Sequence, residues 1–505
     1  MRRNALAVML FLLTATTGTV SPAVAQSAPS AAALGSSDVA ADFDNDGFAD
    51  LAVGVPGENG SAGAVNVLYG ASGGLSGTGG QVFTQVAGNP EAGDGFGWEL
   101  AAGDFNNDGF ADLAVGAPFE GVGGTGAAGA VSVLYGVAGG LTTTGGRLFT
   151  QVGGAVEAGD QFGFALAAGD FNDDGFADLA AGAPGEAVGS ADSAGAVSVL
   201  PGSAGGLTAT GGRLFTQVGG AVETFDLFGW ALAAGDFNND NFADLAVGAP
   251  GEAVGGAGGA GAVSVLPGSA GGLTATGGRL FTQVGGNPET GDEFGWELTT
   301  GGFNNDGFAD LAVGAPFEAV GAAGGAGAVS VLYGSAGGLT TTGGRLFTQV
   351  GGAVEAGDLF GFGLAAGDFN DDGFADLAAG APREGVGSAS QAGAVSVLPG
   401  SAAGLTTSGG RLFTQVGGAV ETRDQFGAQL AAGDFNSNSF ADLAAGAPTE
   451  AVGSVSEAGA VSVFYGAGGG LTATGGQLFT QNSPGVPGAA EVFDHFGGVP
   501  PPEAG

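Results

Sequence analysis

The sequence predicts an all-β chain folded as a seven-bladed β-propeller, and three observations carry that expectation. The stretch DFNNDGFADLAVGAP at Asp104 returns in close copies at Asp42, Asp170, Asp236, Gly302, Asp368 and Asp434, spaced 62 and then 66 residues apart. Such self-similarity at a fixed period is the signature of a repeat architecture. Each copy sits in a unit with four short apolar segments of strand length, bounded by Gly, Asn, Asp or Pro. Four-stranded units can stack openly or close into a ring; closed propellers take four to eight of them, whereas an open array needs polar capping repeats. Neither end of this chain reads as such a cap.

The second unit shows the elements in order. From Phe96 it reads FGWELAA, then the Asp-rich loop, then FADLAVGAP, a Gly/Ala-rich connection, AGAVSVLYG and RLFTQV. No segment keeps a helical period, and each glycine inside a helix would cost about 1 kcal/mol relative to alanine. The C-terminal end begins an eighth copy, EVFDHFGG, while the first unit lacks its Phe-Gly. A surplus at one end and a deficit at the other predict that the termini meet in one blade. A higher period lies above the first: unit two matches five, three matches six and four matches seven.

The domain boundaries read as a signal peptide over 1–25, a linker over 26–35, the propeller over 36–498 and a tail over 499–505. Arg2 and Arg3, an apolar run and Ala23-Val24-Ala25 make up the secretory pattern. Export, to the extracellular space or periplasm, is therefore expected, with no membrane span. Cysteine and lysine are absent and the formal net charge is −41. The first excludes disulfides and thiolate chemistry. The second repels phosphate backbones, so nucleic-acid partners are excluded, and it attracts cations. The 111 glycines read as turn chemistry because the 36 phenylalanines recur at regular places, which disorder does not require.

Within the loop, oxygen-bearing side chains fall at positions one, three, five and nine, with glycine at six. Hard divalent cations take six to eight oxygens, and this spacing wraps three side chains round one point. Calcium fits a flexible, carboxylate-rich site better than magnesium, and zinc lacks its usual ligands. The expected ligand sets are Asp42, Asp44, Asp46 and Asp50; Asp104, Asn106, Asp108 and Asp112; Asp170, Asn172, Asp174 and Asp178; Asp236, Asn238, Asp240 and Asp244; and Asp368, Asn370, Asp372 and Asp376. Gly302 in the fifth loop, and Asn438 with Ser439 in the seventh, remove key groups, so about four or five calcium ions are expected.

Phe-Gly, the Asp-rich loop and Gly-Ala-Pro together resemble the FG-GAP repeat of integrin α-subunit propellers and of secreted bacterial proteins. The resemblance runs from about Ser36 to Gly498. It implies a seven-bladed propeller with calcium in hairpin loops on one face, used for adhesion, for carbohydrate binding or beside hydrolytic domains.

Other recurring groups read as structural because one active site needs only one copy. These are Glu58, Glu120, Glu186, Glu252, Glu318, Glu384 and Glu450, the acids from Glu91 to Glu491 ahead of Phe-Gly, and Arg147, Arg213, Arg279, Arg345 and Arg411. His495 has no nucleophile motif beside it. Local function is expected where symmetry breaks, at Phe119, Phe317, Phe225, Arg383, Arg423 and the tryptophans Trp98, Trp230 and Trp296; the tryptophans fill a slot held elsewhere by Phe164 and Phe362, which favours blade packing over sugar stacking. With no catalytic constellation, a monomeric, non-enzymatic binding or adhesion module for a protein or glycan is expected. The alternatives are a secreted hydrolase using the propeller mouth and a structural envelope or matrix protein.

Overall fold

The computed structural model describes residues 42–498 and 500–502. The signal, the linker and the chain before Asp42 lie outside them. The first blade shows three strands, β1 (Leu51–Val55), β2 (Ala64–Tyr69) and β3 (Ser76–Phe83); the second shows four, β4 (Leu100–Gly103), β5 (Asp112–Ala117), β6 (Ala130–Val137) and β7 (Gly140–Phe149). Five more four-stranded antiparallel sheets follow, each ordered as an up-and-down meander. The all-β expectation and the count of seven blades hold.

The sequence explains the layering. Strand β5, DLAVGA, is buried along its whole length, because neighbouring blades cover both of its faces. In register, Leu113 faces Leu134 and Val115 faces Ser132 on β6. The core therefore lies between blades: one cluster joins Phe43, Val65 and Val67 of the first blade to Phe96, Leu100 and Leu113 of the second.

Outer strands come in two lengths. Where the third strand ends in tyrosine the outer strand has eight or ten residues, as in β3 and β7. Where it ends in Pro201, Pro267 or Pro399 the outer strand is only Arg213–Phe215, Arg279–Phe281 or Arg411–Phe413. Thr208 N–H still donates to the Pro201 carbonyl at 3.0 Å, but proline has no N–H to return, so the ladder stops.

The ring is closed. Ala49 N–H donates to the Asp434 carbonyl at 3.1 Å, as Ala111 N–H does to Asp42 at 3.2 Å between the first two blades. The surplus C-terminal copy takes part: Phe496 N–H donates to Ala458 O at 2.9 Å and Gly497 N–H to Gly54 O at 3.4 Å. These repeat the bonds of Phe96 to Ala62 and Gly97 to Gly116. Phe493, by contrast, stays 55% exposed, so it adds little packing. Among the described residues no helix is long and apolar enough to cross a membrane.

Candidate metal loops and their surroundings

The Asp-rich loop joins the first two strands of each blade, for example β4 to β5. Its acids first build the turn itself. Asp104 accepts the N–H of Asp108 at 3.1 Å on Oδ1 and that of Gly109 at 2.9 Å on Oδ2. Asp112, at position nine, accepts Phe105 N–H at 3.0 Å and, from the end of the third strand, Gly136 N–H at 2.9 Å. Position six is left-handed, with φ +90 at Gly109, and Asn241 takes the same region at φ 72, as expected of asparagine. Position four is left-handed as well, at Asn107 and Asp173. The sequence reading missed this second bend, although Asn and Asp there carried the signal.

What remains after the turn is satisfied decides whether the loop fits a cation. In the first loop Asp42, Asp44 and Asp50 each offer an oxygen, all within 4.8 Å of one another. Among the described residues Asp44 Oδ1 is buried without a hydrogen bond, and so is Asn106 Oδ1 in the second loop. In the third, fourth and sixth loops the Asn at position three donates Nδ2 to the Asp at nine, at 3.1 Å for Asn172 to Asp178, 3.3 Å for Asn238 to Asp244 and 3.1 Å for Asn370 to Asp376. That orientation leaves the amide oxygen for the loop. Burial, with nearby loop carboxylates adding to it, pushes Asp50 and Asp112 up to about 8. The same causes push Asp178, Asp244 and Asp376 up to about 7. A bound cation would offset that penalty, so hard-cation chemistry fits these residues.

The fifth loop differs as its sequence implies: without an Asp at 302, Asp306 N–H turns to Asn304 Oδ1 at 3.0 Å. In the seventh, Asp434 still accepts from Asn438 and Ser439, at 3.0 and 2.8 Å. The turn survives there while a ligand carboxylate is lost.

The recurring arginines are inter-blade ties. Arg147 Nη1 donates to Leu207 O at 3.2 Å and Arg279 Nη1 to Leu339 O at 2.9 Å, each on the next blade. His495 sits 3.5 Å from Glu457, and burial lowers its pKa. Around the axis, Trp98, Phe164, Trp230, Trp296 and Phe362 form an arc with ring centroids 4.7–5.6 Å apart. Phe119 and Phe317 stand edge-on against Trp98 and Trp296. Trp98 and Trp296 are buried, which agrees with packing. Phe225 is 61% exposed, and it and Arg423 occupy left-handed positions. The Arg383 side chain reaches the Pro502 carbonyl.

At the opposite ends of the strands, each Glu after Gly-Ala-Pro meets an Asp and a Gln. Burial, opposed by Gln217 and reinforced by the Asp226 carboxylate, pushes Glu252 up to about 7. Gln481 Nε2 donates to Glu58 at 2.7 Å across the closure. The reading of these glutamates as structural agrees with this, but it missed their partners. It also missed Glu99 and Glu297, both buried; burial alone raises Glu297 well above the ordinary range.

A closed propeller whose hairpin loops repeat an Asp-x-Asn-x-Asp-Gly turn, with Phe-Gly and Gly-Ala-Pro at fixed places round it, defines a class of repeat protein. The chain belongs to the FG-GAP repeat family, which matches residues 34–68, 96–134, 162–200, 228–266, 294–332, 360–398 and 426–464. The phosphatidylinositol-glycan-specific phospholipase D of Rattus norvegicus is 36% identical over 157 residues, 30% of this chain and 18% of that protein. Integrin alpha-V of Gallus gallus is 33% identical over 222 residues, 43% of this chain and 20% of that one. The chain thus spans about a fifth of the length of these relatives. Among solved structures, the exotype rhamnogalacturonan lyase YesX aligns over 84% of this chain and 73% of its own at 12% identity and a TM-score of 0.36.

One expectation is overturned. The chain was expected not to be an enzyme, because its recurring acids supply no unique pair. The relatives include a protein named as a phospholipase, so repeats of this sequence occur within an enzyme. The lack of a recognised catalytic constellation does not exclude activity.

Proposed function

We propose that this is an exported, calcium-stabilised propeller that acts as a binding module for a protein or glycan. The observation that carries the reading is the first loop, where three carboxylates converge and a buried Asp44 oxygen has no partner among the described residues. Asp42, Asp44, Asp46 and Asp50 would hold one ion, with the equivalent side chains of the second, third, fourth and sixth loops holding the others. A bound cation supplies charge neutralisation and stiffness to loops that are otherwise all acid. Isothermal titration of the chelated protein with calcium, and metal analysis after dialysis, test this. Four or five equivalents per chain, with magnesium weaker, are expected; no calcium uptake refutes the reading.

A second reading places the propeller inside a hydrolase, and the phospholipase D likeness favours it. Release of product from glycosylated lipid or polysaccharide by the purified chain would support the enzyme. Ligand capture without turnover would support the module.

A further inference from the structure

One position in each repeat decides whether the seam between two blades is closed or open. It is Tyr69, Tyr135, Tyr333 or Tyr465 in four blades and Pro201, Pro267 or Pro399 in three. Each tyrosine crosses to the next blade. Its hydroxyl accepts the N–H of Leu141 from Tyr69 at 3.2 Å, and of Leu75 from Tyr465 at 3.1 Å. The ring lies over a glycine so closely that a Cβ at Gly140, Gly206, Gly404 or Gly74 would strike the hydroxyl. At the matching Gly272, Gly338 and Gly470, which follow the proline blades, a Cβ would meet nothing within 4 Å.

Two of these openings are defined clefts. The one between the fourth and fifth blades has a volume of about 320 Å³ and is lined by Asn238, Asp244, Pro267, Arg279, Phe281 and Leu339. That between the sixth and seventh, about 240 Å³, repeats the set as Asn370, Asp376, Pro399, Arg411, Phe413 and Leu471. The larger cleft just reaches the lower end of the range for small-ligand pockets, about 300 Å³, and the smaller lies below it, so each suits no more than a single small ring.

The chemistry of the walls narrows the occupant. The Leu339 N–H corresponds to the groups that donate to the hydroxyls of Tyr69 and Tyr465, and among the described residues it has no acceptor. Arg279 uses Nη1 on the Leu339 carbonyl and, with five N–H groups, has others to offer. Asn238 and the exposed Asp240 supply acceptor oxygens on the same wall. Pro267 and the three glycines Gly337, Gly338 and Gly277 give a flat, low surface. In the cation-free loop the exposed Asp240 carboxylate on this wall opposes a ligand carboxylate. A phenol satisfies one donor and leaves the acceptors unused. A ring bearing several hydroxyls serves both.

We propose that the seams beside Pro201, Pro267 and Pro399 are binding sites for a neutral hexose unit, the sugar ring taking the place that tyrosine fills in the other blades. The proposal deepens the binding-module reading and rests on it. The clefts share Asn238, Asp240 and Asp244, and Asn370 and Asp376, with the fourth and sixth metal loops, so sugar binding is measured both in calcium and in chelator, and calcium uptake can succeed where sugar binding fails.

The test uses the whole chain and saturation-transfer NMR with the methyl glycosides of glucose, galactose and mannose, followed by titration of the best binder. Millimolar binding of at least one is expected. The triple variant P201Y/P267Y/P399Y restores the residue that the sister blades carry, so it should keep its fold and calcium stoichiometry while losing at least tenfold in affinity. R279Q/R411Q should weaken binding by a similar factor. Equal affinity in the tyrosine variant overturns the proposal, as does no binding of any of the three glycosides. Preference for glucuronate or for p-cresol overturns the assignment to a neutral sugar.

Discussion

At the scale of single residues, the loop aspartates divide into those that make the turn and those left over for an ion. Asp42 accepts two backbone N–H groups, from Asp46 at 3.0 Å and Gly47 at 2.7 Å. Asp44 has an oxygen with no partner among the described residues. Asp44→Ala should therefore lower calcium affinity of the first loop at least tenfold and change the melt in chelator little. Asp42→Ala should destabilise the chelated protein too, by about 0.5–1.5 kcal/mol for each of the two hydrogen bonds that hold the turn. Calorimetric titration beside thermal melts in chelator separates the two; equal melting losses without calcium would contradict this division. The carboxyl groups at the other face set a pH dependence of known sign. Burial, with Asp424 beside it, pushes Glu450 up to about 8, against an ordinary value of 4.5. The folded state keeps this proton when the unfolded state has lost it. The contribution is fully present below about 4.5 and is lost as pH rises through about 8. In saturating calcium the melting temperature of Glu450→Gln should fall less steeply across that window than that of the parent. Parallel slopes would remove Glu450 from the cause.

At the scale of elements, the outer strand shows how one residue sets a length. The sequence reading gave every unit a fourth strand at RLFTQV, and those strands exist. It did not foresee that the strand extends back through Thr-rich residues only in tyrosine blades, as in Thr340–Phe347. The tyrosine-to-proline alternation was visible in the sequence, but its meaning depends on pairing: Tyr333 faces Thr340, and a proline there cannot complete the pair. Pro267→Tyr should lengthen the fourth outer strand, slow amide exchange at 267 and around Thr274, and add about 0.5–1.5 kcal/mol for each restored bond. Exchange unchanged in that hairpin would show that another constraint holds it short.

At the scale of the molecule, the number of blades was legible because each repeats the same turn and the same apolar spacing. The metal loops were legible as oxygen spacing, and less so as hydrogen bonding: that Asp112 ties the loop to the third strand through Gly136 is a long-range fact no local pattern carries. The Glu, Asp and Gln groups escaped for the same reason, as their members come from three separate segments. That the ends meet was anticipated from the surplus copy EVFDHFGG, of which Phe496 is buried while Phe493 is exposed. Ending the chain after Gln481 should remove the fully buried Phe496, worth about 1.5–3 kcal/mol, and lower the melting temperature. An unaltered melt would leave closure to the N-terminal side alone.

The seam between the last and first blades joins residues that are nearly the whole chain apart, as Leu75 and Tyr465 are, 390 positions from each other. Every other seam joins neighbours in sequence and can form as soon as two blades exist. Closing this one must overcome the entropy of the largest loop in the molecule. Refolding from denaturant should therefore show a late phase, reported by exchange protection at Leu75 and Ala49. Before that phase the chain is an open arc with apolar faces bare at both ends, and such arcs can join head to tail. Yield should drop with protein concentration during refolding, while the closed ring, once formed, should be insensitive to it.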